Sequence, residues 1–195
     1  MGRPRRFDES ELLDAATELF WTRGFDDTSV EDVSRATGIG NGSIYAAFGS
    51  KRGLFLAAYG RYCERRAALI REVMASAPGS PRDAVRALFH AVLDGCAEHP
   101  DRRGCLMLNS IAGLGVRIPE VVEIGANATA IMERAVAERL AVAAGFEVEV
   151  VAAQVVLVAQ GLIQGSRLGM PRERLAAIAE VSVAGLPITD DVPVA

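Results

Sequence analysis

Apolar residues recur at helical spacing along almost the whole chain of 195 residues. The first example is a stripe at i, i+3 or i+4 and i+7, formed by Leu12, Leu13, Ala16, Leu19 and Phe20. No stretch alternates apolar and polar residues over a useful length, as a half-buried strand would. Glycine and proline residues divide the chain into about nine helical segments. The sequence therefore predicts an all-α fold of about nine helices without a sheet.

The predicted helices fall into a short N-terminal group and a longer C-terminal group. Three short helices are predicted within residues 1–50, and one long helix at about 51–75 follows them. Further helices are predicted at about 81–98, 103–115, 119–144, 147–168 and 172–185. We expect a domain boundary near residue 50, which gives an N-terminal domain of residues 1–50 and a second domain of residues 51–195.

The second and third helices, with their short connection, have the spacing of a helix-turn-helix. The tetrapeptide TSVE at residues 28–31 fits a capping box, with Thr28 as the N-cap and Glu31 as its partner. Gly38 supplies a left-handed backbone position for the turn. The apolar face of the second helix is predicted to comprise Val30, Val33 and Ala36.

The outward face of the third helix carries no charge. Its predicted members are Asn41, Gly42, Ser43, Tyr45, Ala46 and Ala47. Such a thin face suits close approach to base edges in a major groove. The flanking basic residues are Arg3, Arg5 and Arg6 in an N-terminal arm, and Lys51 and Arg52 at the start of the next helix. A bound phosphate would offset the unfavourable position of Lys51 in the helix dipole. From the residues alone, DNA binding and plain packing of a helical hairpin are about equally supported.

Residues 24–55, GFDDTSVEDVSRATGIGNGSIYAAFGSKRGLF, closely resemble the DNA-binding signature of the TetR family of transcriptional regulators. The shared pattern is a Thr-capped helix, a Gly turn, a Gly-Ser-apolar-Tyr recognition helix, an aromatic residue and a Ser-Lys pair that opens the next helix. The resemblance covers roughly residues 8–62. The sequence departs from the pattern at Ala46-Ala47, where many relatives carry aromatic residues or His. The remainder of the chain matches the family in helix number and length.

The resemblance implies a ligand-responsive transcriptional regulator, a repressor in preference to an activator. Such a protein binds palindromic operator DNA as a dimer and is released by a small-molecule inducer. The resemblance also implies phosphate contacts from Thr28, Tyr45 and Lys51, and a position at the groove for Asn41, Gly42 and Ser43. Together with Ser29 beside Thr28, and Arg5 in the arm, these residues form the predicted DNA-binding set.

The second domain contains more apolar helix than a dimer interface and a thin core require, so we expect a pocket for a mainly apolar small molecule. The predicted lining residues are Phe89, Cys105, Leu106, Asn109, Met132 and Gln160. Glycines weaken the helix at about 103–115 and make it a candidate moving element. The alternative is a filled core without a pocket, in which Cys105 is a buried thiol and neither lines a pocket nor senses redox state.

The helices at about 147–168 and 172–185 are the predicted homodimer interface. Five small residues there favour close packing of four helices: Ala152, Ala153, Ala159, Gly161 and Gly165. Two other hypotheses stay open at this point. One is an all-helical enzyme or carrier for an apolar molecule, and the other is an interaction protein that dimerises through these helices.

Composition limits the remaining classes of function. The formal net charge is −4, so overall charge does not indicate a nucleic-acid binder. The three cysteines and two histidines have no zinc-ligand spacing, and no catalytic triad or phosphate loop is present. We therefore expect no metal, no cofactor and no enzyme activity. The N-terminus has no secretory signal, and the longest apolar run, within 148–163, is shorter than the ~20 residues of a membrane span. We expect a soluble cytoplasmic protein without membrane contact.

Overall fold

The chain is described by a computed structural model at residues 8–143 and 145–188, and every regular element in these ranges is an α-helix. The helices are α1 Glu9–Arg23, α2 Val30–Thr37, α3 Asn41–Phe48, α4 Lys51–Ser76, α5 Pro81–Ala97, α6 Leu106–Leu114, α7 Glu120–Leu140, α8 Val148–Arg167 and α9 Arg172–Ala184. The predicted all-α fold with about nine helices is confirmed. The largest differences from the predicted bounds are the later start of α6 and the earlier end of α7.

The start of α2 differs from the prediction by one residue. Ser29 is the N-cap: its hydroxyl accepts a hydrogen bond from the Asp32 amide (3.1 Å), and the Asp32 carboxylate accepts one from the Ser29 amide (2.9 Å). The prediction that Thr28 caps the helix was wrong, because its hydroxyl donates to the carbonyl oxygens of Gly24 (2.8 Å) and Leu19 (3.3 Å). Thr28 therefore holds the start of α2 against the end of α1.

Helices α1, α2 and α3 pack around the first turns of α4. Phe20 of α1 and Phe55 of α4 meet edge to face, with ring centroids 5.1 Å apart. Gly38 ends α2 with a φ of 71°, the left-handed conformation predicted for the turn. Ala36, which was predicted on the apolar face, is exposed, because α2 fully buries only Val30 and Val33 of its first turn.

Helix α4 crosses the predicted domain boundary and contributes to both groups of helices. Its first half completes the N-terminal core, and its second half packs along α7. The hydroxyl of Tyr59 donates to the carbonyl oxygen of Val121 on α7 (3.1 Å). Gly125 permits this close approach, because a Cβ atom there would lie 3.0 Å from the Tyr59 oxygen and 2.7 Å from Ile111. One hydrophobic cluster spans both groups, so the division at residue 50 stays a prediction.

Helix α8 lies in the C-terminal group, where it contacts α5, α7 and α9. It has 20 residues, and by length and composition alone it could cross a membrane, so the expectation that this apolar segment is too short was wrong. Val151, Val155 and Leu162 on one side of α8 are buried against its neighbours. This one-sided burial is the pattern of a core helix in a helical protein.

Candidate DNA interface and ligand cavity

Helix α3 presents an uncharged outer surface. The exposed residues of α3, here called the recognition face, are Gly42, Ser43, Tyr45 and Ala46. Ile44 points the other way and is buried, which fixes the rotation of the helix. Asn41 is half-buried, and its side-chain oxygen has no hydrogen-bond partner among the described residues. Tyr45 is 44% exposed and brings a free phenol hydroxyl to the edge of this surface.

Lys51 is held in place beside the first turn of α4. Its Nζ donates to the carbonyl oxygen of Asp26 (3.0 Å) and lies 4.6 Å from the centre of the Phe25 ring. Because the ammonium is near the N-terminus of α4, its charge and the helix dipole would attract the same anion. Arg52, the next residue, is already paired with Glu120 of α7 (2.5 Å). Lys51 is therefore the basic residue of this pair that suits a phosphate contact.

Two members of the predicted DNA-binding set have a different environment from the predicted one. Thr28 is only 1% exposed and its hydroxyl is engaged inside the protein, so the predicted phosphate contact from this side chain does not fit the structure. Ser29 is half-buried, and its hydroxyl donates to the Asp32 carboxylate (2.6 Å). Arg5 lies outside the described residues. The recognition face and Lys51 remain the best-placed part of the set.

Both ends of α6 are tied to the N-terminal helices by ion pairs. Before α6, Arg103 pairs with Glu18 of α1 (2.5 Å), and after α6, Arg117 pairs with Asp26 (2.7 Å). A hydrogen bond from Arg117 lowers the pKa of the Asp26 carboxyl, so the pair stays charged at neutral pH. Asp26 also accepts a hydrogen bond from Lys51 at its carbonyl oxygen. The end of α6 is therefore linked to the candidate phosphate contact through Arg117, Asp26 and Lys51 in turn.

A small apolar cavity of about 30 Å³ lies between α4, α5, α6, α7 and α8. Its lining includes Ile70, Met107, Leu108, Met132, Val156 and Gln160. Three of the six residues predicted for a ligand pocket, Cys105, Met132 and Gln160, are brought together here. Gln160 is the neutral polar side chain in the lining and could orient a ligand.

The other three predicted pocket residues lie elsewhere. Phe89 is fully buried in the core of α5 and lines none of the cavities described. Leu106 and Asn109 face a separate cleft beside the α1–α2 connection. The Asn109 amide group donates to the Arg103 carbonyl oxygen (2.7 Å), and its oxygen accepts from Arg167, so its polar atoms serve the structure of this region.

A second cavity of about 70 Å³, with several charged side chains in its lining, adjoins the apolar one and is here called the arginine cavity. Its polar lining includes Arg66, Arg102, Arg167, Glu98, His99 and Ser166, and Trp21 of α1 lies at its edge. Arg66, Val92, Cys105 and Ile163 line both cavities. Arg66 was not among the predicted pocket residues, although a signal was present: it falls on the buried stripe of α4 between Tyr62 and Ile70.

The cysteines near these cavities differ in their surroundings. Cys105 lines both cavities, and its sulfur accepts a hydrogen bond from the Tyr62 hydroxyl (3.4 Å). Burial raises the pKa of Cys96, which lines the arginine cavity. Burial also raises the pKa of Cys63 to about 12, so this thiol is inert at neutral pH.

Comparison with known proteins agrees with this architecture. Residues 12–58 match the family described as "Bacterial regulatory proteins, tetR family". Over 110 residues the chain is 34% identical to the uncharacterized HTH-type transcriptional regulator YezE of Bacillus subtilis, a match that covers 56% of each protein. Over 113 residues it is 35% identical to the HTH-type transcriptional repressor ComR of Escherichia coli, covering 58% of this chain and 54% of ComR. The match thus spans little more than half the length of these curated relatives.

A solved structure extends the similarity to nearly the whole chain. The TetR family transcriptional regulator CifR, a cysteine mutant complexed with a 26-base-pair operator DNA, is 33% identical, with a TM-score of 0.77. The match covers 95% of this chain and 100% of that one. Because sequence and fold agree over this length, the chain belongs to the TetR family of transcriptional regulators.

Proposed function

We propose that this chain is a ligand-responsive repressor of transcription that binds palindromic operator DNA as a homodimer in the cytoplasm. Residues 1–50 and Lys51 contact DNA, and the remainder of residues 51–195 binds a mainly apolar small molecule and forms the dimer. The chain carries no enzyme activity in this proposal. Two similar proteins support the assignment: ComR is a transcriptional repressor, and CifR forms a complex with operator DNA.

The recognition face carries the proposal. It has no charged side chain that would have to be desolvated in a groove, and Gly42 and Ser43 let the helix approach base edges closely. Lys51 and Tyr45 flank it with donors that suit phosphate oxygens. Phosphate contacts of this kind set the register of the helix, and the base edges then give the specificity.

The apolar cavity supports the ligand-binding part of the proposal. It lies directly behind α6, whose two ends are tied to the N-terminal helices through Arg103 and Arg117. A ligand that fits only one position of α6 would shift the equilibrium between two arrangements of the recognition helices. Differential affinity of about 1–3 kcal/mol between the two states is enough for regulation.

Fluorescence anisotropy with labelled DNA from upstream of the protein's own gene tests the function. We expect nanomolar binding that competitor DNA of scrambled sequence does not abolish. Tyr45→Ala should weaken binding by about tenfold or more, because it removes a phosphate hydrogen bond from each protomer. Arg134→Ala, at an exposed position of α7, is the matched control and should bind like wild type. Equal affinity for operator and scrambled DNA would overturn the proposal.

A further inference from the structure

Hydrogen-bond donors outnumber acceptors around the arginine cavity. Three guanidinium groups and Trp21 line it, whereas the lining contains one carboxylate, that of the exposed Glu98. One of the guanidiniums, Arg167, already donates to Asn109. A space with this balance of charge and donors favours an occupant that carries a negative charge and accepts hydrogen bonds.

Arg66 occupies the boundary between the two cavities. It is half-buried on α4, and no hydrogen bond or ion pair joins its guanidinium to another described residue. Tyr62 and Ile70, which lie about one helical turn before and after it on α4, are buried. Arginine is seldom placed on a buried stripe without a partner, because removing an unpaired charge from water is costly. An anion at this boundary would supply the missing partner.

Trp21 adds a second unsatisfied donor. Its Nε1 is buried and has no acceptor among the described residues, although indole N–H groups usually find a partner when they are buried. The Trp21 ring lies edge to face with His99 (centroids 4.6 Å apart), which also lines the cavity. An oxygen acceptor from a ligand would remove the penalty of this unpaired N–H group.

The loop before α6 brings another arginine to the same cavity. Arg102 has a φ of 55°, a left-handed conformation that is unfavourable for a residue with a side chain. Its guanidinium lies against Gly169 at the α8–α9 turn, where an added Cβ would be 2.5 Å from Arg102 Nη1. Backbone strain of this kind persists at binding sites because the surrounding structure imposes it.

We propose that the inducer is an amphiphilic organic anion, which deepens the proposed function and rests on it. The oxyanion group, a carboxylate in the simplest case, binds Arg66 at the boundary of the two cavities, with Arg102 and Trp21 as further donors. The apolar body enters between Met107, Met132 and Val156 and widens the apolar cavity, which is too small for it unless α6 moves. This ligand class adds a charged group to the mainly apolar molecule expected from the sequence.

Occupation of this site would act on the DNA-binding end directly. Trp21 belongs to α1, and the Arg103 guanidinium lies 5.1 Å from the centre of its ring while pairing with Glu18 of the same helix. An anion that draws Arg66, Arg102 and Trp21 together therefore changes the contacts between α1 and the loop that precedes α6.

The test compares octanoate, decanoate and 4-phenylbutyrate with their neutral primary amides. Binding is measured by isothermal titration calorimetry and by the fluorescence of Trp21, which is the single tryptophan of the chain. We expect at least one carboxylate to bind about tenfold or more tightly than its amide, because a charged hydrogen bond is lost in the amide. Equal or tighter binding of the amides, or binding of no carboxylate in the panel, would overturn the inference.

Variants locate the anion site. Arg66→Gln should reduce carboxylate affinity to that of the amide, and Arg66→Lys should restore part of the preference. Arg71→Gln, on an exposed face of the same helix, is the matched control and should behave like wild type. If Arg66→Gln does not fold, Arg102→Gln, at an exposed position, takes its place. Its preference for a carboxylate over the amide is then compared with that of wild type and should be smaller. An unchanged preference in a folded Arg66→Gln protein would contradict the assignment.

Operator release separates the two proposals. Carboxylates that bind wild type should release operator DNA at concentrations near their dissociation constants, and the amides should need about tenfold more. A carboxylate preference without any operator binding would refute the proposed function and leave the anion site intact. Operator release by amides and carboxylates alike would refute the anion site and leave the proposed function intact.

Discussion

Lys51 stands at a position where a positive charge is unfavourable for its own helix. A cation in the first turn opposes the helix dipole by a few tenths of a kcal/mol, and Lys51 is nevertheless fixed there by the Asp26 carbonyl oxygen and the Phe25 ring. If this lysine contacts one phosphate per protomer, Lys51→Ala removes two contacts from a dimer. The slope of log K against log salt should then fall by about two.

The control for Lys51 is Arg134→Ala, which removes an exposed charge far from the recognition face and should leave the slope unchanged. Thermal stability of Lys51→Ala should stay near that of wild type, because the lost cation was unfavourable to α4. An unchanged affinity and slope in Lys51→Ala would show that this residue does not contact phosphate.

Single residues also show how far the sequence could predict the site. The capping-box pattern with Glu three residues later begins at Thr28, so the sequence predicted this residue as the cap in preference to its neighbour Ser29. The choice depends on the carbonyl groups at the end of α1, which bind the Thr28 hydroxyl and remove it from the surface. Arg66, by contrast, could have been identified from the sequence, because the spacing of the apolar residues of α4 places this charged residue on a buried stripe.

At the scale of elements, helix ends were predictable because their signals are local. Ser50 caps α4 through the Gly53 amide, and Ser80 forms a capping box with Asp83, both within a few residues of sequence.

The orientation of α6 was not predictable. Its nine residues, LMLNSIAGL, are apolar on most sides, so periodicity does not define one buried face. For this reason Leu106 and Asn109 were predicted in the ligand pocket and lie in another cleft.

Helix α6 is short, so its position depends on contacts at its two ends more than on its own stability. Removing one of these contacts should therefore disturb function more than folding. Arg117→Ala breaks an exposed ion pair, which contributes little to stability because solvent screens it, so the melting temperature should change little. Operator affinity should fall by about fivefold, because Asp26 no longer holds Lys51 as firmly.

A matched ion pair elsewhere controls for general effects of losing an arginine. Arg86 of α5 pairs with Glu180 of α9 (3.1 Å), away from the N-terminal helices, and Arg86→Ala should keep wild-type operator affinity. A double-mutant cycle between Arg117→Ala and Asp26→Ala measures the coupling in operator binding. Additive losses in that cycle would mean that the Arg117–Asp26 pair does not link α6 to the DNA-binding end.

At the scale of the whole molecule, α8 and α9 leave an apolar surface uncovered. The exposed residues of this surface, here called the dimer face after the proposed dimer, are Val150, Gln154, Leu157, Gly161 and Gln164 on α8, Leu168 directly after it, and Ile178 and Val181 on α9. The small residues predicted at the interface mostly serve another purpose. Ala152, Ala159 and Gly165 are buried within the protomer, and a Cβ at Gly165 would lie 2.6 Å from Leu175 of α9. The missing side chain at Gly165 lets α8 and α9 pack closely within one chain.

Leu157 lies at the middle of the dimer face and is 64% exposed in the protomer. Leu157→Glu should therefore leave each protomer folded but place a charge in the interface, where it is buried without a partner. Light scattering at micromolar concentration should give twice the protomer mass of 20.7 kDa for wild type and the single mass for the variant. Operator affinity should fall at least about a hundredfold, because the two half-sites are no longer bound by one linked pair of recognition helices.

Val116→Glu is the control for the dimer prediction, since Val116 is 99% exposed on the α6–α7 connection and lies outside the dimer face. It adds the same charge to an exposed apolar position, so it should keep both the dimer mass and the operator affinity of wild type. Because one recognition helix reads too few base pairs for specific binding, mass and affinity should change together in Leu157→Glu. A monomeric wild type that binds operator specifically, or a Leu157→Glu variant that remains dimeric, would exclude this face as the interface that sets the spacing of the recognition helices.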